Sequence, residues 1–227
     1  MLDQAEVAIG GSIRPPVERM RRRAVELVAL FGLLPGLLAL GPRWLVSVGI
    51  LASGVIAIVA LVLDPTFRRR ELIDPRGLSI GLRPVLLRAL VVAVGLFVVT
   101  ALASPQALFG FPRHRPVAWA IVMVLYPLSA YAQEVVFRPF FFHRYGHLFS
   151  SPWRRVLASG LVFGWAHIVV NNVLAMVLAS VGGILFASTY ERSRSTMLVS
   201  LEHALYGDIA FTIGLGGVFY STTRWFG

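Results

Sequence analysis

Among the ionisable side chains inside long apolar stretches of this chain are Glu134, Arg138, His167, Glu202, His203 and Asp208, with Arg88 near the end of another stretch. Each such group costs at least roughly 2.5–3.5 kcal/mol in the middle of a membrane helix, so each is a functional candidate by default. Glu134 and Arg138 are four apart, share one helix face, and can form an ion pair. Taken alone, the pair reads equally as a self-neutralising structural device. His167 or His203 alone reads equally as a hydrogen-bonded core histidine. Three such groups on three helices are expected to converge on one wet cavity, because an unpaired buried charge is expensive.

A carboxylate with two imidazoles supports two chemistries. In the first, Glu134 takes a proton from water with help from a histidine, burial having raised the carboxyl toward neutrality. In the second, Glu134, His167 and His203 hold zinc. Both lead to hydrolysis. No cofactor is expected, and zinc is the one ion the set would suit. Serine chemistry has little support, since no Gly-x-Ser-x-Gly turn is present. Ser129 and Ser200 read as ordinary span residues.

The elements that must position these groups are membrane helices. Of 227 residues, 57% are hydrophobic and 14% charged, and the mean hydropathy is +0.75. Water-soluble domains carry about a quarter charged residues. At roughly 20 apolar residues per span, the candidates are Ala24 to Leu40, Trp44 to Leu63, Pro84 to Ala103, Val117 to Phe142, Val156 to Val170, Val173 to Tyr190 and Thr196 to Tyr220. Gly207-Asp208 is a candidate break in the last. The fold class is therefore all-α, a polytopic transmembrane bundle of seven or eight spans. Residues 1–23 form a polar N-terminal segment. Residues 24–227 form one helical membrane domain, with the motif-bearing core at about 117–220.

The net charge of +10 would suit nucleic acid, but the pattern argues against it. All 21 basic residues are Arg and cluster between apolar stretches. Arg14, Arg19 and Arg21 to Arg23 precede the first span. Arg68 to Arg70, Arg76 and Arg83 fill the second loop, Arg144, Arg154 and Arg155 the fourth, and Arg192 and Arg194 the sixth. The alternating loops hold Arg43, then Arg113 and Arg115, then none. The N-terminus is expected to be cytoplasmic, in a bacterial inner membrane. The first twenty residues are polar, with Pro15-Pro16, so no cleavable leader is expected. There is no Cys, hence no disulfide and no thiolate. On this orientation Glu134 and His203 lie roughly 10–12 Å from the cytoplasmic ends of their helices and His167 roughly 16 Å.

Smaller features have plain readings. His143 and His147 are interface histidines rather than a metal pair. Asn171-Asn172 is a turn. Gly182-Gly183 allows close helix contact. Pro127 is expected to kink the fourth span before Glu134. Trp44, Trp119, Trp153 and Trp225 fit interfacial belts.

Around the charged residues the chain resembles the CPBP family, which contains type II CAAX prenyl endopeptidases, bacterial intramembrane proteases and bacteriocin self-immunity proteins. The family pattern is Glu-Glu-x-x-x-Arg, Phe-x-x-x-His and His-x-x-x-Asn/Asp on successive helices. Here the corresponding segments are Gln133-Glu134-Val135-Val136-Phe137-Arg138, Phe163-Gly164-Trp165-Ala166-His167, and His203-Ala204-Leu205-Tyr206-Gly207 followed by Asp208. The resemblance implies a glutamate-dependent intramembrane endopeptidase acting on a membrane-anchored protein or peptide. It implies that Glu134 and His167 activate water, that His203 and the Asn position stabilise the oxyanion, and that Arg138 organises the acidic motif. Two departures stand out. The first Glu is Gln133, which is no base but can donate a hydrogen bond. The Asn position is Gly207, and Asp208 is one position late. In this form the chain is similar to the variant branch that includes myxosortases, which process C-terminal sorting signals. The departures also motivate a different class of function, a non-catalytic membrane binding or immunity protein on the same scaffold. A transporter is weaker, since no inverted repeat is evident. The sequence leaves the oligomeric state open.

Overall fold

Long stripes of large apolar side chains face outward from this bundle. On the first long span Val55, Ile56 and Val59 are exposed while Gly54, Ala57 and Leu61 are buried. On the fourth, Val117, Ile121, Val124 and Leu128 form an exposed stripe at helical spacing. Water would not tolerate such a surface and lipid requires it. The computed structural model describes residues 17–42 and 44–219. Arg14, Arg43, Tyr220, Trp225 and most of the polar N-terminal segment lie outside the described residues.

The described residues are helices joined by short turns. Helix α1 (Val17–Leu27) continues through a π segment (Val28–Leu33) into α2 (Leu34–Ala39), and α3 is Trp44–Leu63. The short α4 (Arg70–Ile73) leads into α5 (Arg76–Ala103), and the short α6 (Gly110–His114) into α7 (Pro116–Val135). A π segment (Val136–Phe140) joins α7 to α8 (Phe141–Tyr145). Then come α9 (Pro152–Ala166), α10 (Val173–Ser193), α11 (Thr196–Ile213) and α12 (Gly216–Phe219). No strand occurs among the described residues. Four described helices are long and apolar enough to cross a membrane: Trp44–Leu63, Gly81–Ala103, Pro116–Leu148 and Val173–Ser193. This is an integral membrane bundle, and these four helices are its candidate spans by length and composition among the described residues. The α9 and α11 segments are the short or polar ones, because they carry Arg154, Arg155 and His167, and Glu202, His203 and Asp208.

Two expectations need correction. The last segment is not broken at Gly207-Asp208: α11 is continuous from Thr196 to Ile213 and ends at Gly214, whose φ of 123° only glycine adopts readily. The helix of the fourth span does not stop at Phe142 but continues to Leu148. It also runs through Pro127, and its departure from α geometry comes after Glu134, at Val136–Phe140 around Pro139. A proline lacks the N–H for an α turn and crowds the carbonyl four residues back, and a wider π turn accommodates both. The turn at Asn171-Asn172 is as expected. Asn171 is left-handed (φ 54°), and the Asn172 side chain caps α10 by accepting from the amides of Leu174 and Ala175 at 2.9 and 3.2 Å.

One end of the bundle collects the arginine-rich loops. Glu26 binds Arg144 and Tyr145, Glu191 binds Arg155 and Arg194, Tyr190 donates to Glu71 (2.6 Å), and Ser195 donates to the Asp74 carbonyl (3.2 Å). His143 belongs to this end and not to a metal pair: its Nε2 lies 3.0 Å from Asp64 Oδ2. The Thr66 hydroxyl, with His143, holds the Asp64 carboxyl well below the usual carboxylate range.

Small residues bring the site-bearing helices together. A Cβ on Gly160 of α9 would lie 2.6 Å from the Ile184 backbone nitrogen, and one on Gly183 of α10 would lie 2.9 Å from the Gly160 carbonyl. Gly183 makes the contact expected of the Gly182-Gly183 pair, while Gly182 faces only Phe186. On α3, a Cβ on Gly54 would lie 2.8 Å from the Ala132 Cβ of α7. These backbones cannot separate without opening the bundle where lipid offers no hydrophobic drive to reclose it. Gly160→Ala should therefore lower the thermal midpoint of the purified protein markedly, whereas Gly95→Ala, with open space around it, should leave it within about 1 °C by the usual size of surface changes. Equal midpoints for the two variants would contradict the packing described.

Candidate active site

Arg138 lies where four elements meet, and it is fully buried. It projects from the π segment, and its Nη1 donates to Ser159 Oγ of α9 at 2.6 Å and to its neighbour's carbonyl, Phe137 O, at 3.2 Å. Ser159 in turn donates to Phe137 O at 2.7 Å. The guanidinium carbon is 5.2 Å from the Phe163 ring centre of α9 and 5.9 Å from that of Phe186 of α10. The aromatic faces favour the cation and exclude water from it.

Glu134, one turn earlier and also fully buried, holds the balancing charge. Its two oxygens differ. Oε1 lies 2.9 Å from His203 Nδ1 of α11 and 3.5 Å from Arg138 Nη2. Oε2 lies 2.8 Å from Arg138 Nε. The Nε–H does not point along that line, so the contact is an ion pair without a hydrogen bond, and both Oε2 and Nε lack a hydrogen-bond partner. A buried carboxylate oxygen with an open lone pair is costly for structure and useful for binding a proton donor. His203 is held edge and face: it stacks on Phe186 (4.7 Å, 21°) and meets Phe163 at 5.3 Å and Tyr126 at 5.8 Å, both edge-on. Facing a carboxylate, Nδ1 must carry the hydrogen.

A second buried glutamate makes the contrast. Glu202, next to His203, is also fully buried, but both its oxygens are occupied. Oε1 takes Arg88 Nη2 (3.1 Å) and the Tyr206 hydroxyl (2.9 Å), and Oε2 takes the Thr189 hydroxyl (2.6 Å). Arg88 also donates to Thr189 at 2.8 Å. This saturated network ties α5, α10 and α11 together and leaves nothing for chemistry. Sequence reasoning placed Glu202 and Arg88 in spans without pairing them. The rule that a buried charge needs a partner was the signal that could have done so. Ser159 and Phe186 gave no such signal.

The structure brings together Glu134, Arg138 and His203. It does not bond His167 to Glu134. His167 sits at the C-terminal end of α9, where Nδ1 donates to Phe163 O at 2.9 Å, and the Phe163 ring (4.9 Å between ring centres) lies between the two histidines. That bond fixes the tautomer with Nε2 as the acceptor. Gln133 points elsewhere, donating to Ser129 of its own helix at 3.1 Å. Asp208 is not in the site: it lines an apolar cavity of about 450 Å³ with Ala93, Phe97 and Phe109, and its Oδ1 has no partner there. Among the described residues no three His, Asp or Glu side chains are grouped to hold a metal ion, and Glu134 and His203 bond each other rather than facing a common centre.

The fold and site thus define a membrane helix bundle with a buried Glu–Arg–His cluster. Residues 114–207 match the family model for Type II CAAX prenyl endopeptidase Rce1-like, and this agrees with the CPBP resemblance of the three motifs. That family implies intramembrane endopeptidase activity on a protein or peptide substrate. No curated protein and no solved structure matches the chain.

Removing Arg138 alone strands a buried carboxylate, a change that typically costs about 3–5 kcal/mol. Arg138→Met should lower the thermal midpoint sharply, and Glu134→Gln added to it should restore most of the loss. A double variant as unstable as Arg138→Met would contradict the pairing.

Proposed function

We propose that this protein is an intramembrane endopeptidase in which Glu134 activates water. The observation that carries the reading is the difference between the two buried glutamates. Glu202 is fully hydrogen-bonded, whereas Glu134 is oriented by His203 and Arg138 and keeps Oε2 open.

Water bound at Oε2 gives its proton to Glu134 as its oxygen attacks the peptide carbonyl carbon. The carbonyl oxygen becomes an oxyanion, and the proton on Glu134 then passes to the leaving nitrogen as the C–N bond breaks. His203 presents Nε2–H to the oxyanion while its Nδ1–H holds Glu134. His167 accepts from the attacking water through Nε2 and so aligns it. Arg138 holds Glu134 in place. No step calls on a metal.

Glu134 is fully enclosed, and the cavity beside Asp208 is lined by neither Glu134 nor His203. Substrate entry therefore requires helices to part. The arginine-rich end supports a cytoplasmic N-terminus in a bacterial inner membrane, with cleavage on the cytoplasmic side of the midplane. A membrane-anchored protein is the substrate class. The Gln133 and Gly207 departures support a variant, myxosortase-like subgroup.

The test is cleavage of a panel of membrane-anchored substrates by the protein in lipid nanodiscs. Glu134→Gln keeps the shape and removes the base. It should lower the rate by at least about 100-fold, the usual range for a general base, while the protein still accumulates. Equal cleavage by the variant would sink the assignment. No cleavage of any substrate by the wild type, with biological effect retained in a His167/His203 double variant, would favour the non-catalytic binding role, which the closed site also fits.

A further inference from the structure

The residue four after His203 is Gly207, which offers no side chain where the resemblance implies an oxyanion donor. The space is not empty. A Cβ built on Gly207 would fall inside the phenol of Tyr126, on its Cε1, Cζ and Oη. The hydroxyl sits about as far from that Cβ as an asparagine's own amide atoms would, two covalent bonds away. We propose that Tyr126 supplies from α7 the oxyanion donor that α11 lacks, its O–H donating a hydrogen bond to the tetrahedral intermediate beside His203. The inference rests on the endopeptidase reading above.

Three further observations support it. Gly207 is one helical turn beyond His203, so the phenol is laid against the face of α11 that presents His203. The two rings meet edge-on, 5.8 Å apart at 82°. Tyr126 also precedes Glu134 by eight residues on a continuous helix, a spacing that returns to the same face. One face of α7 therefore carries both the base and the donor. The ring is seated by Phe211 of α11 (5.4 Å, 72°), so its position is set by packing and not by substrate. Such preorganisation is what makes an oxyanion donor effective. The residue pair is reciprocal: Gly207 is required for Tyr126 to approach, and an asparagine there would displace the ring.

The competing account is that Tyr126 only fills the groove that a glycine leaves. Tyr126→Phe separates the two, because it keeps the ring and deletes only the hydroxyl. In the nanodisc cleavage assay, Tyr126→Phe should lower kcat by about 100-fold, the usual effect of losing one oxyanion donor, with KM and the thermal midpoint nearly unchanged. Tyr126→Ala combined with Gly207→Asn should recover activity relative to Tyr126→Ala alone. If wild type cleaves, Glu134→Gln does not, and Tyr126→Phe retains full kcat, the Tyr126 role is overturned and the endopeptidase reading stands. A fall in the thermal midpoint that accounts for the lost activity would assign Tyr126 to packing and also overturn the proposal. A wild type that cleaves nothing overturns both.

Discussion

The structure depends on one buried ion pair. A guanidinium and a carboxylate without exposure to solvent are tolerated in a membrane bundle only as a unit, with every remaining charge matched. Arg138 and Glu134 meet this condition by recruiting other helices: Ser159 and Phe163 from α9, Phe186 from α10 and His203 from α11. Each partner fixes the position of the helix that carries it. The helices that hold the site are thus held by the site, and the close glycine contacts of α9 with α10 let them approach near enough to do so. A π segment beside Pro139 places Arg138 one turn after Glu134 without a regular α turn between them.

The same constraint separates structure from chemistry. Two glutamates are buried to the same degree, and burial alone would make both candidates. Glu202 has hydrogen-bond donors on both oxygens and a paired arginine, so it can only be structural. Glu134 has a histidine on one oxygen and an unaligned arginine at the other. The difference is one of hydrogen-bond geometry, and it is what supports Glu134 as the proposed base although the preceding carboxylate is replaced by Gln133. Gln133 faces Ser129 and takes no part in the cluster. The loss of the asparagine at Gly207 is matched by an approaching phenol. The two departures from the family pattern are thus accommodated differently, one by leaving the site and one by refilling it.

Much of this was legible in the sequence. Membrane embedding and the all-α class followed from composition, since apolar stretches of span length admit no other backbone arrangement. The pairing of Glu134 with Arg138 followed from their spacing of four, and the nearness of His203 followed from the cost of leaving it alone in lipid. The rest depended on geometry that spacing does not encode. His167 was expected beside Glu134, but the end of α9 ties its Nδ1 to Phe163 O and sets the Phe163 ring between the histidines. The continuity of α11 through Gly207-Asp208 was missed because glycine breaks helices in water, whereas here tertiary packing against Tyr126 requires it. Nothing in the sequence singled out Tyr126, since only the facing helix reveals what it approaches.

The central claim is that Glu134 and His203 act as one unit. The direct measurement is a double-mutant cycle on kcat for cleavage of a membrane-anchored peptide, using Glu134→Gln, His203→Gln and the pair. Groups that act together lose their contribution once. The account predicts that each single variant loses most of the rate and that the double variant is no slower than the slower single. Losses that multiply in the double variant, or a single variant that cleaves at the wild-type rate, would contradict it.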